Sequence, residues 1–120
     1  AQLFEEALRL ANEGFPVSGE WVKLTNSSKK DFNSAGLKYF FKANGDSYKP
    51  GEILKQPQLG HALKLLRDKG PKAFYEGEIG KDIEQTIKGK GVMAMSDLKN
   101  YKTRWLNPLQ KDYNGYSVYM

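Results

Sequence analysis

The chain has 120 residues, 39% of them hydrophobic and 12% aromatic, a one-domain length and a globular composition that exclude a disordered tail. Its 19 Lys and Arg against 14 Asp and Glu give a net charge of +5, interleaved along the chain, with "SSKK" and "KGK" as the densest basic spots; nucleic acid is permitted as a partner but not demanded. The absence of Cys excludes disulfides and thiolate metal sites, and no apolar run approaches the length of a membrane span.

In chain order, Leu3, Phe4, Ala7, Leu8, Leu10 and Ala11 recur at helical spacing, Gly14 supplies the stop, and Phe15-Pro16 predicts a turn. Ser18 is the expected N-cap of a second helix through Trp21, Val22 and Leu24, which fades in the polar run "TNSSKKDFNS". Tyr39, Phe40 and Phe41 predict a strand, Asn44-Gly45 a hairpin-type turn, and Pro50-Gly51 a further turn before Ile53 and Leu54.

Pro57 suits the first turn of the next helix, where its missing N–H has no partner to lose. Leu59, Ala62, Leu63, Leu65 and Leu66 give that helix its buried face, and Gly70 ends it. Pro71 starts a short turn through Ala73, Phe74 and Tyr75, with the aromatic pair expected to pin the flanking helices together. Ile79, Ile83 and Ile87 line one side of another helix that stops in "KGKG"; Ser96 or its neighbours open a brief helix through Leu98 and Tyr101. Asn114-Gly115, between aromatic runs, marks a second hairpin. The fold class expected is mainly α: a single helical domain over residues 1–120 with one or two short β-hairpins.

Little in these residues points to chemistry. "GKGVMA" (Gly89 to Ala94) satisfies G-x-G-x-x-A, but a dinucleotide site needs a preceding strand, and here a helix precedes it; a glycine helix stop accounts for it. Gly80-Lys81 fails the phosphate-loop pattern, since Asp82 stands where Ser or Thr must hold magnesium and Tyr75 replaces the first glycine. His61 is the only His and has no second ligand near it in sequence. Glu76, Glu78 and Asp82 are better explained as acids complementing a helix dipole than as a general acid/base pair. Ser18, Ser27, Ser28, Ser34 and Ser96 lack a G-x-S-x-G elbow. Tyr39, Phe40, Phe41, Tyr113, Tyr116 and Tyr119 could stack bases, but their alternation favours core packing. No catalytic, cofactor-binding or metal-binding residue is assigned, and no cofactor is expected.

Four ordered segments carry a resemblance. "LFEEALRLANEGFPVS", "YKPGEILKQPQLGHALKLLRDKGPKAFYEGEIGKDI", "SDLKNYKTRWLNPL" and "YNGYSVYM" resemble the large-subunit region of γ-glutamyltransferases, from Leu3 to Met120. The resemblance implies a secreted or periplasmic acyltransferase of the N-terminal-nucleophile hydrolase design. Its precursor cleaves itself, and a threonine becomes the new N-terminus of the small subunit. That hydroxyl attacks the γ-glutamyl carbonyl of a glutathione-like compound, the free α-amino group serves as base, and water or an acceptor amine takes the acyl group. By the same resemblance the nucleophile and most substrate contacts lie downstream of these residues and the substrate-gripping arginine upstream. The chain is then an excised structural lobe, inactive alone, whose partners are the rest of the large subunit and the small subunit. The sequence opens on a helical pattern without an initiator Met, shows no signal peptide and closes on "YSVYM", so a piece of a longer protein is expected. The family's usual Gly-Gly pair and Thr are here Lys90-Gly91 and Ala94; Ala cannot cap a helix, so the cap is expected to move to Ser96. The alternative from another class is a basic helical nucleic-acid or protein binding module.

Overall fold

The computed structural model describes residues 2–120. After a 3-10 turn at Gln2–Phe4, helix α1 spans Glu5–Glu13, with Glu5 and Glu6 in its first turn complementing the helix dipole. Gly14 closes it at φ 90°, its N–H donating to Leu10 O at 3.0 Å. Strand β1 (Phe15–Pro16) then pairs antiparallel with β2 (Ile53–Leu54), Phe15 opposite Leu54 and Pro16 opposite Ile53. The turn predicted at Phe15-Pro16 is therefore a strand. Its partner is remote in sequence, so no local signal reveals the pairing, and Pro is tolerated because the strand is an edge.

Helix α2 (Gly19–Ser27) is capped as predicted, the Ser18 hydroxyl accepting from Trp21 N at 3.1 Å. A 3-10 turn at Lys29–Asp31 leads to α3 (Ser34–Phe40), capped by Asn33, whose side-chain oxygen accepts from Gly36 N at 2.8 Å. The strand predicted over Tyr39 to Phe41 is thus a helix end. Phe40 and Phe41 turn back onto Phe32, with ring centroids 5.1 and 6.0 Å apart, and that packing plus the Asn33 cap outweighs aromatic strand preference. Asn44-Gly45 makes a local turn without flanking strands, closed by Gly45 N to Lys42 O at 2.8 Å. The turn at Pro50-Gly51 is observed.

Helix α4 (Pro57–Lys69) starts on its proline and ends at Gly70, at φ 64°. Helices α5 (Lys72–Tyr75), α6 (Glu78–Ile87) and α7 (Met95–Asn100) follow. Strands β3 (Gln110–Tyr113) and β4 (Tyr116–Tyr119) form the hairpin predicted at Asn114-Gly115, whose positive φ values of 49° and 80° suit a twisted two-residue turn. The chain is mainly helical as expected, with one hairpin; the second two-stranded sheet, β1–β2, is a long-range clasp. Helix α7 keeps its start after Ala94 rather than shifting to Ser96. The acceptor comes from inside the helix, Asp97 Oδ2 receiving Ala94 N at 2.8 Å, and from α6, where Glu84 Oε1 receives Met95 N at 2.8 Å.

The core lies where α1 crosses α4 beneath the β1–β2 clasp. Leu8, Ala11, Val17, Phe41 and Leu54 are buried, Leu54 most completely at 1% exposure. Gly60 is buried against Asn12, so α4 meets α1 through backbone. Leu59 is half exposed (48%), and the buried face of α4 is carried by Ala62, Leu63, Leu65 and Leu66 at intermediate burial. The α5–α6 joint is tight: Ala73 is buried, and a Cβ on Gly80 would fall 2.5 Å from Phe74 O. Phe74 and Tyr75 meet edge to face at 5.0 Å and Tyr75 stacks on Tyr101 at 5.7 Å, so the pair also ties down the end of α7. Phe74 is half-buried, not fully buried, so its removal costs less than the roughly 3–5 kcal/mol of a full core aromatic.

The chain is open. Its radius of gyration is 19.6 Å against about 14 Å for a compact domain of this length. It presents 9771 Å² to solvent where a compact 13.6 kDa protein presents about 6,600 Å², a surplus of roughly 3,200 Å². Residues 101–120 are all exposed. The hairpin nonetheless has two unlike faces. Register sets Tyr113 against Tyr116, Lys111 against Val118 and, one step beyond the strands, Leu109 against Met120 on one side. Gln110, Asp112, Ser117 and Tyr119 lie on the other, with Ser117 Oγ donating to Asp112 at 2.7 Å.

Two predictions follow from the clasp. Gly14→Ala forces a Cβ into the left-handed region and to 2.7 Å from Leu54 O, so urea denaturation should report a loss of at least about 2 kcal/mol. Glu52 anchors the loop behind β2, accepting from Lys42 Nζ at 2.8 Å and from Lys49 N at 2.7 Å. The Lys42 hydrogen bond first, and the Lys49 backbone bond second, hold its pKa below the ordinary 4.5. Because the folded pKa is the lower one, the loop's anchoring persists above the ordinary glutamate value and is lost as pH falls through the depressed one. A carboxyl NMR titration should place the Glu52 midpoint below 4.5, and Lys42→Met should move it back up.

Candidate functional site

A groove of about 690 Å³ lies between α4 and α6, with Tyr39 of α3 also in its lining. Leu65, Ile79, Ile83 and Ile87 make its apolar floor; Gln58, His61, Glu78, Asp82 and Thr86 stand on its rim. The isoleucines share a wall because residues four apart on a helix stack on one side.

His61 has a hydrogen-bond partner that lies 17 residues away in sequence. Its Nε2 lies 2.8 Å from Glu78 Oε1, which α6 brings back alongside α4. Both side chains are more than half exposed (59% and 52%), so the pair joins two helices at the surface. A histidine oriented by a carboxylate is part of a nucleophilic triad, but among the described residues no hydroxyl is hydrogen-bonded to the His61 ring. Ser18 caps α2, Ser27 donates to Leu24 O at 2.8 Å, and Thr86, within the groove, donates to Asp82 O at 2.7 Å. Glu76 is exposed after α5 while Glu78 opens α6, so these acids bracket a helix joint. Among the described residues no group of three or more His, Asp or Glu could hold a metal ion.

The other candidates are also placed. Gly89 to Ala94 runs from the end of α6, Gly89 at φ 78°, to the start of α7. The α7 N-terminus already holds the carboxylates of Glu84 and Asp97, so its backbone donors do not face an open phosphate site. Neither carboxylate was singled out from the sequence; the S/T-x-x-E box that would signal a cap is broken by Ala94. Phe41 is buried and Phe40 half-buried, as core packing requires, but Tyr113, Tyr116 and Tyr119 are 68%, 76% and 60% exposed. In strand register Tyr113 and Tyr116 share the apolar face with nothing packed on it. Three of the basic side chains are paired with carboxylates: Arg9 bridges Glu6 and Glu13, and Arg67 and Lys64 pair with Asp68, whose pKa the Arg67 contact first and Lys64 second bring down to about 2.

These residues form a mainly helical arrangement with two small antiparallel sheets. The chain belongs to the gamma-glutamyltranspeptidase family, whose sequence model matches residues 1–120. It is 38% identical over 120 residues to a glutathione hydrolase proenzyme of Pseudomonas sp. (strain A14), covering 98% of this chain and 21% of that protein. It superposes on the crystal structure of Helicobacter pylori gamma-glutamyltranspeptidase with a TM-score of 0.88 and 30% identity, over 98% of this chain and 35% of that one. Against the Bacillus anthracis transpeptidase enzyme CapD the TM-score is 0.82 at 32% identity, over 98% and 40%. The chain thus spans about a fifth of the length of the curated relatives it matches.

Because the His61–Glu78 pair is exposed, His61→Ala should change unfolding free energy by no more than about 0.5 kcal/mol at neutral pH, measured by chemical denaturation.

Proposed function

We propose that these residues are a structural lobe of a γ-glutamyl-transferring enzyme and that the reacting groups lie on other parts of the parent protein. The observation that carries this reading is the family match over all 120 residues, joined to the surplus of exposed surface. Roughly 3,200 Å² of extra surface is the size of an obligate interface, and the one-sided hairpin offers a sheet face that a neighbouring layer would cover.

In this reading an N-terminal threonine of the small subunit, released by self-cleavage, attacks the γ-glutamyl carbonyl. Its α-amino group takes the hydroxyl proton, the amine portion of the donor leaves, and the acyl-enzyme is resolved by water or an acceptor amine. The lobe adds no atom to that step; it supports the walls against which the subunits close. The parent works in the periplasm or outside the cell, and the lobe's partners are the rest of the large subunit and the small subunit. Names of relatives, glutathione hydrolase and transpeptidase, support γ-glutamyl or related amide donors.

The isolated 120-residue chain should give no turnover of a chromogenic γ-glutamyl anilide, whereas the parent, once processed, should turn it over and yield a threonine at the new N-terminus on sequencing. Turnover by the isolated chain would defeat the framework reading; an unprocessed, inactive parent would defeat the activity.

A further inference from the structure

The α4–α6 groove carries an inference of its own. Ile79, Ile83 and Ile87 form a straight apolar ridge about 12 Å long, the rise of eight helical residues. A ridge of residues four apart is the surface that a second helix interdigitates with. Leu65 and Ala62 of α4 form the opposing wall, so the groove has the cross-section of a helix-binding trough rather than of an enclosed ligand pocket. Its rim is not electrically neutral. Glu78 is taken by His61, but Asp82, one turn further along α6, has no ion-pair partner among the described residues and stands beside the apolar floor. A cation is what it lacks.

We propose that this groove is the seat of an amphipathic helix from another part of the parent protein, apolar at i, i+3 or i+4 and i+7 toward Ile79, Ile83 and Leu65, with a Lys or Arg reaching Asp82. The proposal rests on the reading of this chain as a lobe of a longer protein. Two observations favour such an occupant: the relatives are about five times as long as this chain, and the open apolar groove carries on its rim a carboxylate that a basic side chain would complement.

The lack of cysteine makes the test direct. Thr86→Cys, nearly isosteric and on the groove rim, and Ile83→Cys, on its floor, are each made in the parent, with its own cysteines replaced, and thiol labelling is timed in the folded protein and in urea. The folded parent should label at least about 100-fold more slowly than the unfolded one. Asp82→Lys should speed labelling of the folded parent at least about tenfold by repelling the incoming cation, whereas Glu76→Lys, outside the groove, should leave the rate unaltered. Labelling of the folded parent within about tenfold of the unfolded rate overturns the proposal. So does protection that vanishes on dilution, which means a second copy fills the groove, and so does protection appearing only when octylamine is added, which means a small-molecule site. Anilide turnover measured on the same parent samples separates this from the functional reading: an active parent with an open groove refutes only the helix, and a protected groove in an inactive parent refutes only the activity.

Discussion

The helical half of the molecule depends on one long-range closure. Residues 15–16 pair with residues 53–54 where α1 lies on α4, and the backbone bonds of that closure are extended on both sides by Val17 N to Glu52 O and Gln56 N to Ala11 O. Two strand residues contribute little by themselves. What makes the clasp decisive is that it buries Leu54, Val17 and Ala11 together and brings the bare backbone at Gly60 against α1. Gly14 sits at the pivot, in a conformation and at a distance that exclude a side chain. Everything later in the chain hangs on α4: the sharp stop at Gly70, the α5 turn, and α6 folding back so that His61 and Glu78 meet.

The second half obeys a different constraint. Beyond Tyr101, which stacks on Tyr75, every residue is exposed and the secondary structure is the local β3–β4 hairpin. A two-stranded hairpin is marginal in water, yet β3–β4 gathers Leu109, Tyr113, Tyr116, Val118 and Met120 on one face, broken only by Lys111, and puts Gln110, Asp112 and Ser117 with Tyr119 on the other. Side chains so sorted make physical sense only with a layer laid over them. The chain belongs to the gamma-glutamyltranspeptidase family and spans about a fifth of the curated relatives it matches; the lobe reading proposed above would account for the uncovered hairpin face.

Local signals in the sequence were reliable where the physics is local. The Ser18 cap, the proline start of α4, the glycine stops at 14 and 70 and the Asn114-Gly115 turn all act within a few residues, and each is observed. Errors arose where a distant partner decides. Phe15-Pro16 became a strand because of Ile53-Leu54; Tyr39 to Phe41 became a helix end because Phe32 receives the rings; α7 kept its start because Glu84 reaches across from α6. The same blindness hid the His61–Glu78 contact, since nothing in "GHA" or "GEI" indicates that α6 returns far enough for the two side chains to meet. Exposure of the hairpin tyrosines was misjudged for the opposite reason: alternation reports a face meant for burial, not whether the covering layer belongs to the same stretch of chain.

The central claim is that residues 101–120 acquire their stability from outside this segment. Amide hydrogen exchange tests it most directly, comparing the isolated chain with the same residues in the parent. The account predicts that the amides of β3 and β4 exchange almost as fast as an unfolded peptide in the isolated chain while those of α1 and α4 are protected, and that in the parent the hairpin becomes as protected as the helices. Strong protection of β3–β4 in the isolated chain would mean that the hairpin stands on its own packing, and the account would be wrong.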